Sequence, residues 1–303
     1  MNTLRQLLVA PLALPLLLVG CIAPDGGEPE SEPYTPREAD EPATIGYFIT
    51  SLDNQLKAWT NLKLGATSNK ELRTLRSLER ELNQSTSKRR GELLEQLESP
   101  SPKSRAVSAI ALGFSGDPSV AGPILNALSD PDPLVVNNAL VGLGVLASAD
   151  TPLARVCYLL ANNPDPWTRN NAAYAMAAVI AAGGRDECVL DSCRGGLIDA
   201  EGGVRAQSAS ILGMLSDVES VQPLGDLLFD DQMLVGRASA AALGTIGLKV
   251  LEEKGKIARL LVDAAPRVQP SLRNTILGEL ARMSTDNYGE DLELWTEWAY
   301  RLP

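Results

Sequence analysis

Histidine is absent from this chain of 303 residues. Its absence removes the commonest general base, the usual transition-metal ligand, and every Ser–His or Cys–His nucleophile arrangement. Asp, Glu, Lys and Tyr can still catalyse reactions, but the sequence has no Gly-rich phosphate loop, no nucleophile elbow and no carboxylate cluster with metal-ligand spacing. We therefore predict no catalytic residue, no metal site and no cofactor.

Aromatic residues and positive charge are also scarce. Aromatic residues make up 4% of the chain, and the formal net charge is −11. Because Ala and Leu supply most of the apolar residues, close helix packing is favoured over a sheet core rich in Val, Ile and Phe. Nucleic-acid binding needs Lys and Arg to displace counterions from phosphates, so the acidic balance predicts no nucleic-acid partner.

A long apolar run is missing from the N-terminus as well. Residues 1–20 contain Arg5 and then an apolar stretch, 7–19, that is interrupted by two prolines. The stretch is too short to cross a membrane, and it has the form of a signal peptide. It ends in Leu18-Val19-Gly20-Cys21, which resembles the lipobox of bacterial lipoproteins.

This resemblance implies that residues 1–20 are cut off and that Cys21 is lipidated. Two or three acyl chains would hold the protein on a membrane, since each buried CH₂ contributes about 0.8 kcal/mol. Ile22 stands where the inner-membrane retention signal of that family has Asp, which implies an outer-membrane location in the bacterial cell envelope. The alternative is a free cysteine after an ordinary signal peptide.

The segment 21–43 is predicted to be an acidic tether. After Cys21 it carries five prolines and seven acidic residues against the single Arg37. Such a composition cannot bury enough apolar surface to fold, and it separates the membrane anchor from the body of the protein.

Residues 91–287 repeat a pattern of two helices. The small residues that end each second helix follow one another in steps of 31, 33, 36, 31 and 37 residues: Gly113, Gly144, Ala177, Gly213, Gly244 and Ala281. Each unit has a first helix with apolar residues at helical spacing, a turn such as SDPDP at 129–133, and a second helix rich in Ala and Gly. A period of this size indicates a helical solenoid.

The repeated motif resembles the short bacterial type of HEAT repeat, most clearly in DAEGGVRAQSASILGML at 199–215. The resemblance implies an all-α fold, an α–α superhelix of about six helix pairs, right-handed in that family. It also implies a ladder of arginines paired with acidic turn residues. Four residues hold the arginine position, Arg105, Arg169, Arg205 and Arg273, whereas Val136 and Gly236 depart from it and would interrupt the ladder.

A solenoid needs caps, because its end repeats otherwise expose an apolar face. Residues 44–90 are predicted to form an N-terminal helical cap from two amphipathic segments, 45–64 and 69–84. Residues 288–303 are predicted to form a C-terminal capping helix with Trp295 and Trp298. A ligand-stacking site is the alternative for these aromatic residues.

Three cysteines, Cys157, Cys188 and Cys193, remain after Cys21, so at most one intrachain disulfide can form. Repeat alignment places Cys157 and Cys193 at equivalent buried positions of successive first helices, about 8–10 Å apart and out of disulfide reach. We therefore expect buried cysteines that act as small apolar residues. A Cys188–Cys193 bridge is the alternative, if Cys188 lies outside the helix.

The second helices line the concave face in the HEAT family, which makes their outward positions the candidate partner-binding surface. These positions carry mostly amides and one aromatic residue: Asn137, Asn138, Val141, Asn170, Asn171, Tyr174 and Gln207. Amides offer both donors and acceptors without charge, which suits a peptide backbone. Plain solubility of an exposed helix face is the alternative.

Two charged groups have competing interpretations. Lys88-Arg89-Arg90, with Lys70, Arg73, Arg76 and Arg80 before it, forms the basic stretch of the chain, and acidic residues are interleaved with it. A solvated helix face is the default interpretation, and a docking site for an acidic partner is the other. The aspartate pairs at 130/132 and 230/231 fit turn capping better than cation binding.

The sequence thus predicts a membrane-anchored lipoprotein that binds a protein partner through the concave face of a HEAT-like solenoid. One alternative is a catalytic or lyase-like assembly factor of the cell envelope. The other is a purely structural spacer.

Overall fold

The computed structural model describes residues 44–303, and every regular element in this range is a helix. Cys21, the predicted signal peptide and the predicted tether lie outside the described residues. The helices are α1 (Ile45–Gly65), α2 (Asn69–Lys88), α3 (Arg90–Gln96), α4 (Pro102–Gly113), α5 (Ala121–Asn126), α6 (Pro133–Leu146), α7 (Ala154–Asn162), α8 (Pro166–Ala181), α9 (Cys188–Gly196), α10 (Gly202–Leu215), α11 (Val221–Asp226), α12 (Met233–Lys249), α13 (Lys254–Ala264), α14 (Pro270–Met283) and α15 (Leu292–Arg301). The predicted all-α fold is confirmed.

Six consecutive helix pairs, α3/α4 to α13/α14, form the solenoid. The second helices α4, α6, α8, α10, α12 and α14 lie side by side in a row, each against the next. The predicted number of about six pairs is confirmed. No helix between residues 44 and 303 combines the length and the hydropathy needed to cross a membrane.

Aspartate and proline in the turns explain where the second helices α6 and α8 begin. The carboxylate of Asp132 accepts a hydrogen bond of 2.9 Å from the backbone N–H of Leu134, and Asp165 does the same for Thr168. A proline follows each of these aspartates at the first helical position, where its missing N–H leaves no hydrogen bond unmade. Asp132 and Asp165 are therefore helix caps, whereas Asp130 and Asp230 accept hydrogen bonds from the backbone N–H groups of Asp132 and Gln232, which precede α6 and α12.

Small residues bring the second helices into backbone contact. A Cβ at Gly142 of α6 would overlap the carbonyl oxygen of Ala109 in α4. A Cβ at Gly213 of α10 would lie 2.6 Å from the Cα of Ala242 in α12. Both positions need glycine because neighbouring backbones leave no room for a side chain.

The N-terminal helices α1 and α2 run antiparallel and cover α4, which is the second helix of the first pair. Trp59 of α1 is buried and meets the ring of Phe114 edge-on, with 5.1 Å between ring centres. At the open end of the pair, the guanidinium of Arg89 lies 4.2 Å from the ring of Phe48. Ser68 and Glu71 form a reciprocal capping box that begins α2.

The C-terminal helix α15 packs against α13 and closes the other end. Trp295 is fully buried, and its indole N–H donates to the carbonyl oxygen of Gly289 at 3.0 Å. Tyr288 and Trp298 meet the Trp295 ring edge-on, at centre distances of 4.9 and 5.6 Å. The three rings therefore pack against one another and form a small aromatic cluster at the C-terminal end of the solenoid.

The structure corrects the cysteine predictions. Cys157 of α7 and Cys188, the first residue of α9, form a disulfide with a Cα–Cα distance of 6.2 Å. Both the free Cys157 and the alternative Cys188–Cys193 bridge are therefore wrong. Cys157 and Cys193 hold equivalent positions in their repeats, but the cysteine that lies beside Cys157 is Cys188, at the start of α9.

Cys193 does behave as a small buried apolar residue. It is free and fully buried, with its sulfur 3.5 Å from that of Met176. Burial raises the pKa of its thiol to about 12, so it stays protonated and unreactive at neutral pH.

Candidate interaction surface of the second helices

Three of the four predicted ladder arginines each bind the turn aspartate of the following repeat through two hydrogen bonds. Donor–acceptor distances lie between 2.7 and 2.9 Å in the pairs Arg105–Asp130, Arg169–Asp199 and Arg205–Asp230. Each guanidinium also donates to two carbonyl oxygens of its own turn. The paired side chains are mostly buried, so the ladder ties the edges of successive repeats together.

Where the arginine is missing, the aspartate is missing too. Val136 stands in the arginine position of α6, and the facing turn carries Asn163 in place of aspartate. Gly236 stands in that position of α12, and the facing turn carries Arg267. The paired loss avoids leaving a half-buried charge without its partner, which would be strongly destabilising.

Arg273 differs from the prediction. It forms no salt bridge with any residue in 44–303, and its Nε donates to the carbonyl oxygen of Ala265 at 2.8 Å. A further cross-repeat pair, Arg194–Asp217, was missed because Arg194 lies on the first helix α9, outside the motif; its Nε–Oδ2 distance is 2.9 Å.

The ladder changes the acidity of its aspartates. The hydrogen bonds from Arg105 lower the pKa of Asp130, with a smaller contribution from the backbone N–H of Asp132. For Asp199, burial acts to raise the pKa, but the hydrogen bonds from Arg169 and from the Glu201 backbone outweigh it, and the pKa is lowered. Both carboxylates are therefore ionised at neutral pH.

The predicted row of outward amides is a seam between helices. Asn137 accepts a hydrogen bond of 2.7 Å from Asn171 of the next second helix, and it donates to Thr168 at 3.2 Å. Gln207 donates to the side-chain oxygen of Asn170 at 3.1 Å. Asn138 donates to the carbonyl oxygen of Ala106 at 3.1 Å.

The expected exposure of these positions is therefore wrong for four of them, since Val141, Asn170, Asn171 and Gln207 are buried. The close approach of the Ala- and Gly-rich helices encloses them. Asn137, Asn138 and Tyr174 are half-buried. Partner binding by this row stays a prediction, and only these three retain part of their surface for it.

A cleft opens where the N-terminal helices face the C-terminal ends of the second helices. It has a volume of about 390 Å³. One wall comes from α1 and α2, and the other from the ends of α4 and α6, the residues that follow α4, and the middle of α8: Trp59, Lys63, Glu79, Asn83, Gly113, Phe114, Gly116, Gly144, Val145, Leu146 and Tyr174. Of the predicted binding residues, the structure brings only Tyr174 into it.

The polar groups of the cleft hold one another in place. The indole N–H of Trp59 donates to Glu79 at 3.1 Å, and the ammonium of Lys63 lies 3.9 Å from the same carboxylate oxygen. The amide of Asn83 donates to the carbonyl oxygen of Phe114 at 2.7 Å and ties α2 to the end of α4.

Tyr174 is the fixed feature of the opposite wall. Its ring fills the space above Gly144, where a Cβ would overlap it. Burial and the negative charge of Glu79 raise its pKa to about 12, so the hydroxyl stays neutral. It can donate and accept hydrogen bonds toward a bound molecule.

Repeat alignment missed Trp59, Lys63 and Glu79, because they belong to the cap and have no counterpart in the repeated motif. The sequence does place Trp59 and Lys63 four residues apart, on one face of an amphipathic helix. That spacing does not indicate which other helices pack against this face.

Comparisons with known proteins agree with the repeat architecture. Residues 92–177 match the family described as HEAT repeats. No curated protein matches the chain. The karyopherin Kap121p, in its complex with the SUMO protease Ulp1p, is 14% identical; the likeness covers 84% of this chain and 30% of Kap121p, with a TM-score of 0.57. At this identity the likeness shows the fold alone.

Two other solved structures are similar over most of their own length. A designed armadillo repeat protein, YIII(Dq)4CqI, is 17% identical and aligns over 64% of this chain and 99% of its own, with a TM-score of 0.49. The CpcE–CpcF phycocyanin lyase of Nostoc sp. PCC7120 is 17% identical over 89% of this chain and 98% of its own, with a TM-score of 0.41.

Proposed function

We propose that this protein is a lipid-anchored scaffold of a bacterial cell envelope, and that it binds an extended segment of a partner protein in the cleft between α2 and the second helices. The observation that carries the proposal is the composition of the cleft. It combines the half-buried ring and neutral hydroxyl of Tyr174 with the charges of Lys63 and Glu79, and the buried Trp59 holds Glu79 in place through its indole hydrogen bond. Such sites fix a peptide by one or two aromatic contacts and a few placed polar groups.

The disulfide supports the envelope location. Disulfides persist in oxidising compartments such as the periplasm and are rare in the cytosol. Cys157–Cys188 joins two first helices of adjacent pairs and leaves Cys193 buried, so the chain has a structural disulfide and no exposed thiol among residues 44–303. Together with the resemblance of Leu18-Val19-Gly20-Cys21 to a lipobox, this supports export.

Site-specific photo-crosslinking tests the cleft. A photoreactive amino acid at Lys63, in the full-length protein in cells, is expected to crosslink to one peptide of one partner. Tyr174→Ala is expected to reduce that crosslink at least tenfold. Tyr158→Ala is the matched control, because Tyr158 is an exposed tyrosine on the first helix α7 and should leave the yield unchanged. Equal loss with both variants, or no crosslink at Lys63, would contradict the proposal.

Anchoring has a separate test. Metabolic labelling with an alkyne-bearing fatty acid should modify the wild-type protein, and Cys21→Ala should lose the label and leave the membrane fraction. A Cys21→Ala protein that stays membrane-bound after a high-salt wash would show that Cys21 is not the anchor.

A further inference from the structure

One face of α2 carries three arginines without acidic partners. Arg73, Arg76 and Arg80 line an open furrow of about 720 Å³ whose walls come from α2 alone. Within residues 44–303 none of the three forms a salt bridge, whereas Arg89, just after α2, binds Glu92, and Arg90, the first residue of α3, binds Asp117.

These three arginines form no salt bridge within residues 44–303, although acidic residues outnumber basic residues in this chain. The chain has 38 acidic residues against 27 lysines and arginines. Like charges on one helix face repel each other, and the three arginines lie within eight residues. The arrangement therefore favours an acidic ligand along α2, and the extent of the furrow fits an extended chain.

The chain itself contains a matching acidic segment. Residues 25–41 carry seven carboxylates against the single Arg37, and they join α1 through residues 42–44. The start of α1 lies beside the end of α2, as the contact between Phe48 and Arg89 shows. The segment therefore begins beside the C-terminal end of α2, nine residues beyond Arg80.

The lengths agree. Arg73 precedes Arg89 by sixteen residues, which is about 24 Å along a helix at 1.5 Å per residue. The 19 residues from 25 to 44 have a mean end-to-end distance of about 24 Å by coil statistics. When the mean reach of a linker matches the span, the effective concentration is highest and reaches the millimolar range.

We propose that residues 25–41 bind the basic face of α2, formed by Arg73, Arg76 and Arg80, and occupy it in the absence of a competing acidic ligand. The binding is electrostatic and intramolecular, so it weakens as ionic strength rises. Because the furrow shares Glu79 and Asn83 with the cleft, the segment lies at the border of the cleft. The proposal does not depend on the identity of the partner proposed above.

Competition in trans tests this inference. The probe is a fluorescent synthetic peptide of residues 24–43, titrated at 50 mM salt against the mature chain 21–303 with Cys21→Ala. The host chain is compared with a variant whose seven acids are replaced by Asn or Gln. We expect the neutralised chain to bind the peptide at least tenfold more tightly than the host chain, and 300 mM salt to remove that difference.

Charge variants then locate the site. R73Q/R76Q/R80Q in the neutralised chain is expected to weaken peptide binding at least tenfold. K249Q/K254Q/K256Q is the matched control, since it removes three positive charges from α12 and α13 and should change binding less than twofold. Thermal unfolding of each variant checks the fold. Equal binding by the host and neutralised chains would show that residues 25–41 do not occupy the furrow and would overturn the proposal, as would undiminished binding by R73Q/R76Q/R80Q.

Discussion

Replacing Arg169 by valine should destabilise the protein strongly, and a second substitution in the next repeat should restore most of the loss. Arg169 and Asp199 have side chains that are 15% and 12% exposed. Breaking a buried pair by removing one partner costs about 3–5 kcal/mol, and the lower end applies here because some solvent still reaches the pair. We expect Arg169→Val to lower the free energy of unfolding by about 3 kcal/mol.

The double variant Arg169→Val/Asp199→Asn recreates the Val136/Asn163 combination that the chain already contains one repeat earlier. Asn163 keeps the turn closed, because its side-chain oxygen accepts from the Asp165 backbone at 2.9 Å. The double variant should therefore cost only about 1 kcal/mol, which is about 2 kcal/mol less than Arg169→Val alone.

Urea unfolding, followed by circular dichroism and by tryptophan fluorescence, measures four proteins: the wild type, Arg169→Val, Asp199→Asn and the double variant. Two probes are needed because a repeat protein can unfold in parts. A single substitution that costs less than 1 kcal/mol, or a double variant as unstable as the sum of the two single variants, would refute the idea that ladder partners are kept or lost together.

Three further predictions concern stability. Cys157→Ala/Cys188→Ala opens a 31-residue loop and should lower the free energy of unfolding by about 3–4 kcal/mol, with reductant changing the urea midpoint of the wild type and not of the variant. Gly142→Ala should cost at least about 2 kcal/mol by separating α4 from α6, whereas Gly278→Ala, with open space around it in α14, should stabilise by roughly 0.5–1 kcal/mol; equal melting-temperature shifts would contradict this. The lowered pKa of Asp130 means that its contribution is complete above the unfolded value of about 3.9 and is lost as pH falls through the folded pKa, so urea midpoints should drop between pH 5 and pH 2, and less steeply in Asp130→Asn.

Local patterns accounted for the architecture. The helix pairs follow from apolar spacing, and the starts of α6 and α8 follow from Asp-Pro turns whose capping bonds, at Asp132 and Asp165, form within three residues. The N-terminal helices were predictable for the same reason, since Leu75 and Leu82 lie on one face of α2 and both are buried. These features depend on neighbours in the chain.

The remaining features depend on distances between elements that the sequence pattern does not contain. Burial of Asn170 and Asn171 follows from how closely α8 lies to its neighbours. The Cys157–Cys188 bridge follows from the placement of the α9 start beside α7. The cleft exists because α1 and α2 meet the second helices, which brings Trp59 and Tyr174, 115 residues apart in the chain, into the same lining. Because Trp59 lies in the N-terminal cap and outside the repeated motif, the repeat pattern does not predict that it shares a cleft with Tyr174.

The contact of bare backbones at Gly142 and Gly213 has a mechanical consequence. Helices that touch without intervening side chains have no compliant layer to compress, so α4 cannot approach α6 more closely, nor α10 approach α12. The amide hydrogen bonds oppose separation of α6, α8 and α10. A ligand would meet a surface of constant spacing and would have to supply the adjustment itself, while the protein would lose little conformational freedom on association.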